Sequence, residues 1–356
     1  MKMLYLADQD LDNESGVSQK ICMQSKQWLA EGHQVTILSL QSLSFFSVDK
    51  QRLSPPLIKI KRVKWRIFIH LLYSSWKLKD ILKDVDFDIV YMRYRLYAPF
   101  LKAALKKHPQ IIEINTDDIN EYRHSSPLLY WYNRVFRSLF LRSVDGFVCV
   151  SNELHDQFTT YNKPAVVIAN GIKLDDLSFE PSTSTSRPSL VFIGSPNQRW
   201  HGLEKIIYMA QKLSEFDFHI VGLDGIDTQN LFYYGYLPTD DANAFVQKHD
   251  IGISTLSLYE KKMYEASPLK TRQYLAQGLP VIYAYKDTDF ESENTFSLQL
   301  PNSQNNILAS IEKIRAFVNT VYADKTTRKQ AREFAKSRLD VTVKEKKRLS
   351  FFGEFL

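Results

Sequence analysis

At 356 residues the chain is too long for one small core and fits two domains, taking roughly 150 residues per domain. Its 44% apolar and 24% charged residues exclude a disordered or fibrous protein. The only cysteines, Cys22 and Cys149, exclude a disulfide framework or thiolate metal site and fit a reducing compartment, while a net charge of +6 favours anionic partners without choosing among nucleotide, nucleic acid and acidic lipid.

Residues 1–9 hold a short apolar run that meets Asp8 and Asp10, without the longer run and cleavage site of a signal peptide. No apolar run reaches the roughly 18 residues that cross a bilayer. The expectation is a cytoplasmic protein, soluble or peripheral on the inner face of the membrane.

Short β-branched or aromatic runs then alternate with amphipathic stretches, the pattern of βα units around a parallel sheet. In the first half, strands are predicted over residues 3–7, 35–40, 88–93, 110–115, 146–151 and 165–169. A helix over 17–31 places Val17, Ile21 and Trp28 on one face and ends at Gly32. Stretches 58–83 and 126–142 interleave Lys and Arg with Trp, Phe and Tyr. Such helices suit an anionic membrane surface, and equally fit core helices with one solvated face.

The polar run 180–188 has no apolar period and is the predicted linker. Beyond it, strands are predicted over 190–194, 218–222, 231–234, 251–256 and 281–285, with helices near 202–216, 240–248 and 269–277. The fold class is therefore α/β, with two Rossmann-like domains facing a cleft, 1–180 and 188–335. Ligands of such sheets bind at the carboxyl ends of strands, where helix N-termini offer free N–H groups.

The segments just after strands carry the candidate chemistry. In the loop after the first strand, Gly16 lets the backbone approach an anion, although a turn with a capping serine explains it as well. After the strand 190–194 come Gly194, Ser195, Arg199, His201 and Gly202, where a cation and the positive end of a helix dipole converge on a place for a diphosphate. A surface loop with a solvated arginine is the competing reading.

In the segment 265–282, Ser267 is predicted as cap, Pro268 as first helical residue and Gly278 as helix stop. Lys270, next to Leu269, adds charge for phosphate, while of Glu265 and Gln273 one can hold a sugar hydroxyl and the other the ribose. A capped helix alone explains Ser267, Pro268 and Gly278, but not Glu265. After the strand 110–115, Glu113, Asp117, Asp118 and Glu121 offer a general base for an acceptor hydroxyl, with helix capping the more frequent use of an Asp pair. Asp117 and Asp118 lack a third convergent oxygen ligand, so no metal is expected.

These residues, in this order, resemble glycosyltransferase family 4, retaining enzymes of the GT-B fold. Residues 265–282 look like the family's Glu-x7-Glu donor motif followed by Gly-x-Pro-Val, with Gln273 in place of the second Glu. Asn170-Gly171 is similar to its turn before the linker, 192–202 to its second phosphate loop with His201 where lysine is commoner, and 251–256 to its Asp-Ile-Gly strand. Tyr91-Met92-Arg93-Tyr94, Glu113-Ile114-Asn115 and Glu121-Tyr122 resemble a branch acting in polysaccharide assembly. Other branches often carry histidine where Asn115 falls.

The resemblance implies transfer of a sugar, with retention, from a nucleoside diphosphate sugar to a glycan or lipid-linked acceptor in surface polysaccharide or glycolipid assembly. It implies no cofactor beyond the donor substrate and no required metal. Arg199, Lys270 and the helix start near Ser267 would stabilise charge on the leaving diphosphate, with His201 donating a hydrogen bond. Arg93, Glu113, Asn115 and Glu121 would stand on the acceptor side. A C-terminal helix over 326–352, its part from about 336 onward packing back on the first domain, completes the expected fold. The alternatives are a nucleoside diphosphate sugar epimerase of the same architecture, or a non-enzymatic sugar-binding or nucleic-acid-binding protein. Cations gathered on two amphipathic stretches rather than along a groove speak against nucleic acid.

Overall fold

The computed structural model describes residues 1–12, 15–58, 66–179, 187–291 and 294–356. Most of the predicted linker (180–186) and the cations Lys59, Lys61, Arg62 and Lys64 lie outside the described residues. The chain divides into two compact units, Met1–Ile168 with Glu345–Leu356, and Ala169–Lys344.

The first unit is built on a seven-stranded sheet: β1 (Lys2–Ala7), β2 (Gln34–Ser39), β3 (Ser44–Phe46), β4 (Ile89–Arg93), β5 (Gln110–Ile114), β6 (Gly146–Cys149) and β7 (Ala165–Val167). The order is β3-β2-β1-β4-β5-β6-β7, parallel throughout except for β3 against β2. Strands buried on both faces read as continuous apolar runs, which is why Ile89, Val90, Tyr91 and Met92 are all buried. Trp28, from the helix Gly16–Ala30, stacks on Tyr5 and sets its edge against Tyr91 and Phe352. Its Nε1 donates to Glu345 at 2.8 Å, so the final residues of the chain belong to this core.

The second unit holds β8 (Ser189–Ile193), β9 (Asp217–Val221), β10 (Leu231–Tyr233), β11 (Ile251–Ile253), β12 (Glu265–Ala266), β13 (Val281–Tyr283), β14 (Lys286–Asp287) and β15 (Ser297–Gln299). Six of these form a parallel sheet in the order β10-β9-β8-β11-β13-β15, and β12 pairs with β14 apart from it. The order reverses between β8 and β11, so the loops that follow these two strands flank the crevice where such sheets take ligands.

Glycine is required where the loops after β8 and β9 meet. Gly222 has φ +85°, and a Cβ there would run into the carbonyl oxygen of Gly194. A Cβ on Gly194 would in turn lie 2.6 Å from Leu223 Cδ1. Gly222→Ala is therefore expected to cost about 1–3 kcal/mol, visible as a lower denaturant midpoint at unchanged slope.

The expected single helix over 326–352 is broken. The chain forms a helix Thr326–Phe334, a π turn Ala335–Leu339 and a second helix Val341–Gly353, with Asp340 between them at φ −59°, ψ 138°. The Asp340 carboxylate accepts from the N–H of Thr342 at 2.7 Å, a local bond that competes with continuous helix and starts the second one.

Candidate active site

In the second unit, the loop after β8 runs into a single turn, Arg199–His201, and then the helix Leu203–Lys212. Gly202 makes the corner at φ +77°; a Cβ there would press on Ser257 and Leu256. The turn buries His201 between Phe192 and Trp200, with ring centroids 5.7 and 4.3 Å away. Its Nδ1 is buried without a hydrogen-bond partner among the described residues. Burial, followed by the nearby charges of Lys270 and Lys261, pushes the imidazole down to about 2, so it is neutral. Arg199 and Ser195 are exposed, and the Arg199 guanidinium meets no acceptor among the described residues.

The helix Leu269–Ala276 has Pro268 as its N-cap and no side chain capping it, so its first N–H groups stay open. Ser267 is not the cap. Its hydroxyl accepts from the Asn170 N–H at 3.2 Å, and its carbonyl accepts from Asn170 Nδ2 at 2.7 Å. The hydroxyl thus fixes the Asn170-Gly171 turn instead of the helix start.

Lys270, in the first turn of that helix, carries the unusual electrostatics. Its Nζ is buried and has no acceptor among the described residues. It rests 4.3 Å from the centre of the Phe192 ring and 6.0 Å from that of Trp200. Burial alone drives its pKa well below the ordinary lysine value. A cation–π contact offsets part of the cost of hiding the charge, on the order of 2 kcal/mol when desolvated, and an ammonium wants an anion as well. Lys270 and the neutral His201 ring thus both pack against Phe192 and Trp200, beside an uncapped helix N-terminus.

Two residues hold this helix in place. Arg272 is buried and forks onto Asp287, with Nη2 at 2.8 Å from Asp287 Oδ1, reaches Asp289 at 2.7 Å, and donates to the Asn170 carbonyl at 3.2 Å. Gln273 donates to Asn243 Oδ1 at 2.7 Å, tying it to the helix Thr239–Gln247. Glu265 is buried in β12, its carboxylate 3.4 Å from the Lys286 ammonium. Arg272 was not among the predicted site residues; its partners lie 15 and 17 positions on, in a two-residue strand and its loop that no periodicity announces.

In the first unit, Arg93 at the end of β4 lines a small pocket with Asn115, Glu121, Tyr94, Thr116, Tyr122 and the buried Asp118. The other predicted acceptor-side groups are used differently. Asp117 caps the helix Asp118–Ser125: Oδ1 accepts from the N–H groups of Ile119 and Asn120 at 3.0 and 3.1 Å, and Oδ2 from Asn120 Nδ2 at 2.6 Å. Three of its acceptor sites serve the helix start, and Glu121 is the exposed carboxylate of the pocket. Asp118 is gripped by Arg137 at 2.8 Å and Asn133 at 2.6 Å.

Glu113 does not line the pocket. It is wholly buried behind it, 2.9 Å from Lys20 Nζ and 3.3 Å from Arg348 Nη2. Those cations, with Arg93, hold the carboxyl far below its usual range although burial works the other way. Asn115 is fixed by the same pair, accepting from Lys20 at 2.8 Å and donating to Glu113 at 3.1 Å. Gly16 is the first residue of its helix, behind a capping box in which the Ser15 and Ser18 side chains each bond the other's backbone N–H. It makes no special turn.

Residues 15–176 match the family described as Glycosyltransferase Family 4. No curated protein matches the sequence. Among solved structures, sucrose-phosphate synthase from Thermosynechococcus elongatus superposes with a TM-score of 0.75 at 13% identity, covering 99% of both chains. A glycosyltransferase from Rickettsia africae gives 0.69 at 16%, covering 99% of this chain and 98% of that one. HepE of Anabaena, in complex with UDP, gives 0.65 at 14%, covering 99% and 100%. At these identities the likeness shows the fold, which is GT-B, the fold of the family-4 glycosyltransferases.

Proposed function

We propose that the protein is a retaining glycosyltransferase that takes a nucleoside diphosphate sugar on its second unit and transfers the sugar to a hydroxyl of a glycan or lipid-linked acceptor held by the first, without a required metal. The observation that carries this reading is Lys270, whose Nζ is buried against two aromatic rings without an acceptor among the described residues, beside an uncapped helix N-terminus. Breaking the bond to the sugar leaves negative charge on the diphosphate, and a preorganised cation in a low-dielectric recess stabilises that charge more than water does. Arg199 adds a second cation from the rim, and the first N–H groups of the helix add their dipole. His201, being neutral, acts as a hydrogen-bond donor at one ring nitrogen and not as a charge.

On the acceptor side, Glu121 and Asn115 are the groups able to bind a hydroxyl, and Arg93 suits an anionic acceptor. HepE has also been solved with UDP-glucose, and the lipopolysaccharide outer core galactosyltransferase WaaB shares the fold. The first supports a sugar-nucleotide donor for this chain and the second a surface-glycan acceptor. Incubation with a donor in the presence and absence of acceptor tests the reaction class: transfer requires acceptor-dependent release of nucleoside diphosphate, whereas an epimerase converts the donor with no acceptor at all.

The donor motif gives a graded expectation. Glu265→Ala should damage turnover more than Gln273→Ala, because Glu265 is assigned to the sugar undergoing transfer. Gln273, with one side of its amide already on Asn243, should contribute one hydrogen bond to the ribose. Its loss should weaken nucleotide binding by about 1 kcal/mol, or roughly fivefold by calorimetric titration. Unchanged affinity in Gln273→Ala would remove the ribose assignment.

A further inference from the structure

Two helices of the first unit leave apolar residues in water. On the helix Pro127–Ser143, Leu128, Trp131, Val135 and Leu139 recur at helical spacing along the outer face, with Trp131 and Val135 65% and 67% exposed. Its opposite face buries Asn133, Phe140 and Leu141. On the helix Ile67–Ile81, Ile69, Leu72, Tyr73 and Trp76 are exposed in the same manner over buried His70, Leu71, Ser74 and Leu78. The two helices touch where Phe68 packs on Tyr132, with ring centroids 4.7 Å apart. Exposed Ile69 and Trp131 are the next residues along from that contact. Exposed apolar stripes at helical spacing mark an interaction site on a folded protein.

Charge selects the occupant. The helix Pro127–Ser143 contains no acidic residue; exposed Arg142 sits within its apolar arc and exposed Arg134 flanks it. Exposed Lys79 and Lys83 close the far end of the other stripe, whose single acid, Asp80, is paired with Lys77. None of Lys79, Lys83, Arg134 and Arg142 makes an ion pair among the described residues. A second copy of the chain would set these cations against cations. An anionic lipid surface would take the indoles and aliphatic side chains into its headgroup boundary and the cations onto its phosphates.

We infer that the outer faces of these two helices form an anionic-lipid-binding surface that seats the first unit on a membrane without crossing it. No helix among the described residues is long and apolar enough to span a bilayer. The proposal stands on exposure and charge and not on the transferase reading.

The test is cosedimentation with vesicles of phosphatidylglycerol and phosphatidylcholine in equal parts, and with pure phosphatidylcholine, for the wild type, Trp131→Glu/Val135→Glu and Trp76→Glu. The wild type should bind the mixed vesicles, less so as salt is added, and at least about tenfold more weakly to the neutral ones. Both variants should lose most of that binding, at unchanged melting temperature and unchanged nucleotide affinity. The proposal is overturned if the wild type ignores both vesicles, if it binds both equally, or if the variants bind as well as the wild type. A wild-type dimer that the variants turn into monomers, with no vesicle binding, would overturn it in favour of self-association. Nucleotide affinity is read in the same preparations, so a failure of the donor site is seen separately from a failure of this surface.

Discussion

Replacing Lys270 by methionine is expected to lower turnover by roughly two to three powers of ten, the scale of removing one preorganised electrostatic partner of a transition state, while leaving the fold as stable as before or more so. The two effects come from the same fact. A buried charge without an acceptor costs stability, and methionine fills the same volume beside Phe192 and Trp200 without that cost. An ordinary structural lysine would give the reverse pattern, with lost stability and intact turnover.

Lys270 also sets a pH dependence. Its folded pKa is depressed, so between that value and the ordinary one near about 10.4 the unfolded chain holds a proton that the folded chain has released. The unfolded state binds more protons there, so this residue's contribution to stability rises with pH across the window, and its cost is full below the depressed pKa. A bound diphosphate favours the ammonium and reverses the shift. Binding should therefore take up a proton and weaken as pH rises through the window. Titrations in buffers of different ionisation heat should show proton uptake in the wild type and none in Lys270→Met.

Glu113→Gln is expected to cost about 3–5 kcal/mol of stability, because it strips the shared carboxylate from cations that cannot reach water. Lys20 and Arg348 have side chains only 5% and 2% exposed. Arg348 keeps Glu345, and its Nε keeps the Tyr91 hydroxyl at 3.0 Å, while Lys20 keeps Asn115 but loses its carboxylate. Crowded by Arg93 and Arg348, the Lys20 amine is already pushed down to about 8 by burial. The Glu113 carboxyl has a lowered folded pKa, so its contribution is present above the unfolded value near about 4.3 and is lost as pH falls through the folded value. Acid unfolding should accordingly lose part of its steepness in Glu113→Gln. Denaturant titrations from neutral to acid pH check both points, and a variant as stable as the wild type would remove the network from the account.

The sheets were legible because their central strands are unbroken apolar runs ended by polar or glycine-bearing loops, as in Ile89–Arg93 and Ser189–Ile193. Strands β3, β12, β14 and β15 were not, since two or three residues carry no period. The donor helix was legible from Pro268 and Gly278, and its lysine from its place in the first turn. What local pattern could not supply was partnership at a distance. Ser267 looked like a cap because its partner, Asn170, is 97 positions away. Glu113 looked like a site carboxylate because Arg348 lies 235 positions on. Asp117 offered two uses, and only its hydrogen bonds decide for the cap.

The most direct measurement is thermal unfolding of the wild type and Lys270→Met with UDP, GDP and ADP. The account predicts that one of the three stabilises the wild type, by about 2.7 kcal/mol at a hundred times its dissociation constant, and that Lys270→Met loses most of this gain. No stabilisation by any of the three, or equal stabilisation of the variant, would contradict a nucleoside diphosphate bound at Lys270.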